Sequence, residues 1–413
     1  MKKKETLFFI TIIWAVTMTP IFSQPIVKTG IEVLRDRDFD VLQGKRVGLI
    51  TNPTGIDSRL QSTIDILHEA PGVQLVALYG PEHGVRGDAH AGDKVDTAID
   101  GKTGVPVYSL YGKTRKPTPD MLEGVDVLVY DIQDIGSRSF TYISTMGLAM
   151  EAAGEAGIPF VVLDRPNPLG GIRMEGNLVE PDFISFVSQY PIPYVYGLTC
   201  GELALYLNEE GLISTPCQLT VIKMQGWSRN MIFEDTKLPW VAPSPHIPHP
   251  STALFYPVSG ILGELGIVSI GVGYTMPFEL FGAEWIDAEL LAEALNARQI
   301  PGVIFRPLHY RPFYSVGVGK HLQGVQVHFT NPRYAPLSPI QFIVMEELYK
   351  QAPDHPIFSD ETKHRFNMFD KVTGSNTIRL RFSENYRWSD IKDYWNKDIL
   401  AYRNRVIPYF LYH

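Results

Sequence analysis

The sequence predicts an α/β protein, with a βα-layered first domain on a largely parallel sheet and a smaller α+β domain after it. Three observations carry this reading. From Ile26 to about Thr220, apolar runs of strand length alternate with helical periodicities. Four of those runs, at 46–50, 73–78, 125–130 and 159–163, end in clusters of polar and turn-forming residues. A proline-dense crossing, Trp240-Val-Ala-Pro-Ser-Pro-His-Ile-Pro-His-Pro250, then separates this alternation from a stretch of mixed helices and strands. The expected organisation is a leader over 1–24, a first domain over 25–244 and a second over 245–413.

The elements follow in order. Ser58-Arg-Leu-Gln61 reads as a capping box, opening a helix that buries Leu60, Ile64 and Leu67. Residues 73–80 return as a strand. Residues 88–116 are polar and glycine-rich around a short apolar patch at 105–111, the composition of a functional loop. Residues 141–157 form a helix stopped by Gly157, and Thr199-Cys-Gly-Glu202 caps another that ends at Gly211. The second half holds helices at 287–298, 339–351 and 389–405, and strands at 303–307 and 324–330.

Composition narrows the function classes. The 413 residues suit two domains, and 45% hydrophobic with 20% charged residues is an ordinary globular balance. A net charge of −8 leaves no basic excess to neutralise a nucleic acid. The basic start Met1-Lys-Lys-Lys, the apolar core over 7–18 and the polar region over 19–24 have the form of a secretory signal peptide. An exported protein, periplasmic or secreted, is therefore expected, without stable membrane insertion once the leader is cut. Cys200 and Cys217 are the two cysteines. Export permits a disulfide between them, and two separate thiols are an equal alternative.

In an open parallel sheet ligands bind outside the carboxyl ends of the strands, so the four polar clusters describe one candidate site. Glu82 and His83 stand between Pro81 and Gly84 just past a strand end. Two titratable side chains in so tight a turn point to chemistry. Asp131, Asp134 and Asp164 project from neighbouring tips, and carboxylates sharing a pocket can divide into a protonated acid and an ionised partner, as glycoside cleavage requires. Each of these aspartates has a structural alternative as a turn or helix-cap acceptor. Arg86, Arg138 and Arg165 offer donors to an anionic substrate group, or ion-pair partners to those aspartates. Tyr111, Tyr142, Tyr190 and Tyr196 offer sugar-stacking faces, or simply core. Glu202 reads as a cap. His246 and His249, separated by two residues (Ile-Pro), lack a third ligand for zinc. No dinucleotide fingerprint, phosphate loop or serine elbow is present, and no cofactor is expected.

Several blocks carry a resemblance: Tyr79-Gly-Pro-Glu-His-Gly-Val-Arg-Gly-Asp88, Val107-Tyr-Ser-Leu-Tyr-Gly112, Tyr130-Asp-Ile-Gln-Asp-Ile-Gly136, Thr141-Tyr-Ile-Ser-Thr145, Leu163-Asp-Arg-Pro-Asn-Pro168 and Pro239-Trp-Val-Ala-Pro-Ser-Pro245. Together with Pro277-Phe-Glu-Leu-Phe-Gly282, they resemble the exo-β-N-acetylmuramidase family (NamZ-like, glycoside hydrolase family 171). The resemblance implies a Rossmann-like domain joined to a smaller one across a cleft. It implies removal of N-acetylmuramic acid from the non-reducing ends of peptidoglycan fragments, with Glu82 as the catalytic acid and His83 orienting it. It leaves Arg86, Asp131, Gln133, Asp134, Arg138, Tyr142, Asp164, Arg165, Asn167, His246 and Ser269 as candidate substrate-binding residues. The stretch 264–275 departs from the family pattern: Ile267 stands in place of an Asn and Val272 in place of an Arg, and His246 likewise replaces an Asn. A change of sugar, or a binding protein without turnover, is therefore the alternative expectation.

Overall fold

The computed structural model describes residues 27–87 and 98–413. The expected leader and part of the 88–116 loop lie outside them. The first half is built on seven strands: β1 (Arg46–Thr51), β2 (Gln74–Gly80), β3 (Ala98–Ile99), β4 (Pro106–Ser109), β5 (Val127–Asp131), β6 (Phe160–Leu163) and β7 (Leu219–Ile222). Their order is β3-β4-β2-β1-β5-β6-β7, and every neighbouring pair is parallel except β3 with β4. From β1 the chain winds to β2 on one flank and to β5 on the other. That reversal opens a crevice at the carboxyl edge.

The period of two along β5 divides its side chains between two cores. Val127 and Val129 join one with Ile31, Leu34, Ile64 and Leu67. Leu128 and Tyr130 join the other with Met146, Met150, Leu203 and Leu207. The helices supplying these residues are α1 (Gly30–Asp36) and α2 (Thr63–Glu69) on the first face, and α3 (Tyr142–Ala156) and α4 (Cys200–Glu209) on the second. A strand covered on both faces is all apolar, which is why β5 reads as a continuous run. Gly157 ends α3 at φ +67, and the Thr199–Glu202 box opens α4 with both of its reciprocal bonds. Cys200 and Cys217 are separate, buried thiols.

The helix after β1 starts later than its sequence suggests. Ser62 caps it by accepting from the Ile64 amide, while Ser58 donates to Glu32 instead. The cause is Asp57, whose carboxylate accepts from the Arg59 and Gln61 amides and stabilises a loop in place of the first turn. Leu60 accordingly lies 59% exposed at φ +66, not in the core.

The second half holds an antiparallel sheet of β8 (Leu280–Ala283), β9 (Val303–Tyr310) and β10 (Leu322–Phe329), in the order β8-β10-β9. The short α5 (Phe233–Thr236) leads into α6 (Pro250–Gly263), followed by α7 (Ala288–Ala297), α8 (Ser338–Gln351), α9 (Phe366–Thr373) and α10 (Asn376–Asn385). The single helix expected over 389–405 is two, α11 (Trp388–Asn396) and α12 (Ile399–Val406). At the break Asp398 accepts from the Leu178 amide, and α12 returns to the first half. There Tyr402 and Val406 enter the α3–α4 core, and Tyr412 reaches Asp164. The end of the chain therefore belongs by packing to the first half. Residues 173–195 make the reciprocal crossing: Glu175 accepts from the Leu337 and Ser338 amides, and Arg173 donates to the Ala335 and Pro332 carbonyls. Among the described residues no helix is long and apolar enough to cross a membrane.

Candidate active site

The turn after β2 sets the centre of the site. Gly84 N donates to Pro81 O at 3.0 Å, closing a turn whose central residues are Glu82 and His83. His83 takes φ +74, the left-handed value that a type II turn demands at its third position and that is uncommon for a residue with a side chain. Gly84 follows at φ +73, and a Cβ on Gly80 would meet the Gly84 and Val85 backbone at 3.0–3.2 Å. The chain thus doubles back immediately, burying His83 while leaving Glu82 half-exposed at the crevice. Non-glycine residues held in this region cluster at functional sites, where surrounding structure compensates the strain.

Tyr111, just past β4, lies within electrostatic reach of the Glu82 carboxylate. Burial first, then the charge and hydrogen bond of Glu82, push that phenol up to about 12, so it remains a neutral donor at physiological pH. Tyr142 and Tyr256 also feel the Glu82 charge, and burial raises both hydroxyls further out of the titrating range. Tyr142 donates to Pro243 O in the crossing segment, and Tyr256 meets Ser139 at 3.1 Å. His246 enters from the same crossing. Burial, and then the neighbouring His83, lower its pKa, and its Nε2 lies 3.0 Å from the Tyr314 hydroxyl. Beside this group a cavity of about 260 Å³ opens, lined by Tyr256, Glu264, Ile270, Val272, Ser315 and Arg365 among others. No cluster of three or more potential metal ligands exists among the described residues.

The other strand tips are built differently. Asp131, at the end of β5, is fully buried and forms a two-bonded ion pair with Arg165 at 2.5 and 3.0 Å, while Thr63 Oγ1 donates to it at 2.5 Å. Arg165 also donates to Ile56 O. Asp164 accepts from Thr199, Tyr412 and the Gly201 amide, and burial raises it to about 6 despite those donors. Asp134 accepts from Tyr196 and the Gly136 amide, and burial raises it to about 7. Gln133 donates to the Asp134 and Pro166 carbonyls, and Asn167 ties Leu198 O to the Leu169 amide. Arg138 is 1% exposed and donates to the carbonyls of Asn177, Ile192 and Val372 and to Ser188, with desolvation lowering it to about 9. It stitches the two halves together, and among the described residues it has no carboxylate partner. Ser269 is buried, bridging to Gly282 in an extension of the small sheet. Arg86 is paired with Asp100 through two hydrogen bonds of 2.9 and 3.0 Å. In each case side chains or carbonyls of the protein occupy the groups that sequence reasoning placed against substrate. Tyr190 and Tyr196 are core.

The structure thus brings Glu82, His83, Tyr111, Tyr142 and His246 into one region and adds Tyr256, Tyr314, Glu264 and Arg365. Glu264 opens the stretch that departs from the family pattern. Tyr256, Tyr314 and Arg365 had no local signal, since each arrives from the second half by tertiary packing.

Comparison with known proteins agrees with this architecture. The chain is similar to a peptidoglycan β-N-acetylmuramidase of Bacillus subtilis, 46% identical over 389 residues, covering 94% of this chain and 92% of the relative. Two solved DUF1343 family proteins of Bacteroides fragilis each cover 94% of this chain and 99% of their own. They superpose with TM-scores of 0.91 at 63% identity and 0.75 at 27%. The N-terminal model of the exo-β-N-acetylmuramidase NamZ family matches residues 47–251, its C-terminal model matches 254–412, and the chain belongs to that family.

Proposed function

We propose that the protein is an exported exo-β-N-acetylmuramidase that removes N-acetylmuramic acid from the non-reducing ends of peptidoglycan fragments during cell-wall turnover. Family membership and the likeness to the Bacillus enzyme support the sugar and the bond. The observation that carries the residue assignment is the left-handed turn at His83, which leaves the Glu82 carboxylate partly exposed just past β2 while the carboxylates at the β5 and β6 tips are buried. A general acid must reach the leaving oxygen, and Glu82 is only partly buried just past the end of β2 while Asp131, Asp134 and Asp164 are buried. A cavity of about 260 Å³ falls below the ~300–1,000 Å³ of sites that take drug-sized ligands. It accommodates one terminal sugar ring, as exo action needs. The sequence form of residues 1–24 supports export.

Protein lacking residues 1–24 and its Glu82→Gln variant, offered chromogenic β-glycosides of N-acetylmuramic acid and N-acetylglucosamine, provide the test. Cleavage of the muramide, lost in Glu82→Gln with sugar binding retained, is the expected result. Full turnover by Glu82→Gln would remove Glu82 from the reaction, and cleavage of the glucosaminide alone would reassign the sugar.

A further inference from the structure

N-acetylmuramic acid differs from N-acetylglucosamine by one substituent, an ether-linked lactyl group that carries a methyl and a carboxylate. A site that selects the first sugar needs a cation and an adjoining apolar wall. The cavity beside Tyr256 has both. Val268, Ile270, Val272 and Phe278 form an apolar side, and Arg365 faces it from the turn before α9. Arg365 Nε donates to Glu264 O at 2.7 Å, which fixes the guanidinium in place. Its Nη2 stands 3.7 Å from Glu264 Oε2, beyond hydrogen-bond range. Among the described residues neither Nη atom makes a hydrogen bond, and the side chain keeps 42% of its exposure. The guanidinium is therefore in a loose ion pair with Glu264 without a terminal hydrogen bond, and a planar fork in that state can take an incoming carboxylate through two parallel bonds. Tyr256 lines the same cavity, its ring packs edge-on against Phe140, and Phe140 meets Tyr142, so the cavity adjoins the group around Glu82.

We propose that Arg365 is the specificity-determining residue of this site, binding the lactyl carboxylate of the terminal sugar while Ile270 and Val272 receive its methyl. The proposal rests on the muramidase reading for its ligand.

Calorimetric titration of free N-acetylmuramic acid and free N-acetylglucosamine into the wild type, Arg365→Gln and Arg365→Lys tests it, with turnover of the two chromogenic glycosides recorded in parallel. Wild type is expected to prefer the acidic sugar. Arg365→Gln should bind it roughly 10- to 100-fold more weakly, the loss of a charged hydrogen-bond pair, and leave N-acetylglucosamine binding unchanged. Arg365→Lys should recover part of the preference and guards against a folding defect. A wild type without preference, or a preference surviving in Arg365→Gln, overturns the proposal. If turnover of the muramide is absent but the Arg365-dependent preference is present, the proposal stands and the muramidase reading falls. If turnover is present with a preference independent of Arg365, the reading stands and the proposal falls.

Discussion

The tips of β2 and β5 carry the same kind of sequence, an apolar run ending in acidic and turn residues, and the structure gives them opposite uses. At β5 and its neighbour β6, Asp131, Asp134 and Asp164 are buried and enclosed by Arg165, Tyr196, Thr199 and Tyr412. At β2 the chain reverses through two consecutive left-handed residues and leaves Glu82 half-exposed beside one neutral donor. The fold surrounds the β5 and β6 carboxylates with donors, while the backbone at β2 leaves Glu82 partly exposed and open to the acid role proposed for it. The difference lies in the turn and not in the acid.

This contrast can be broken in decreasing steps. Glu82→Gln should lower turnover by roughly 10²- to 10⁴-fold, the usual contribution of a general acid, and leave the melting temperature unchanged. A matching fall in stability would show that Glu82 is structural after all. Arg165→Met should do the reverse. It strands the buried Asp131 charge, and breaking such a pair costs about 3–5 kcal/mol, so chemical denaturation should shift strongly while the folded fraction keeps its activity. Tyr412→Phe removes one donor from Asp164 and should cost about 1–3 kcal/mol, read in the same denaturation experiment.

The smallest effect concerns pH. Asp134 is raised from 3.8 to about 7 in the folded protein, so the native state binds its proton more tightly than the unfolded chain does. That contribution to stability is full below about pH 4 and is lost as pH rises to about 7. Asp134→Asn should remove this decline, leaving a flatter melting temperature between pH 4 and 7 by a few degrees. An unchanged slope would show that another group, such as Asp164 at about 6, dominates.

Much of the first half was legible. The strands of the parallel sheet announce themselves because both faces are covered, and α3 and α4 carry their own stop and cap at Gly157 and Thr199. The Ser58 cap was misread because Asp57 offers the backbone amides a competing acceptor, a choice that depends on Glu32 and Arg35 from α1. The 389–405 helix was read as one because its apolar period runs on, while the break at Asp398 answers to the Leu178 amide.

By itself, then, the sequence determined the α/β class and pointed to the strand tips and Glu82 as candidates, because these follow from local periodicity and turn chemistry. Only the tertiary structure decided which carboxylates are enclosed, that Arg138 joins the two halves through carbonyls, that Tyr412 closes on Asp164, and that Arg365 faces Val272 across one cavity. Burial and partnership between residues far apart in the chain set ionisation and access, and no local pattern encodes them.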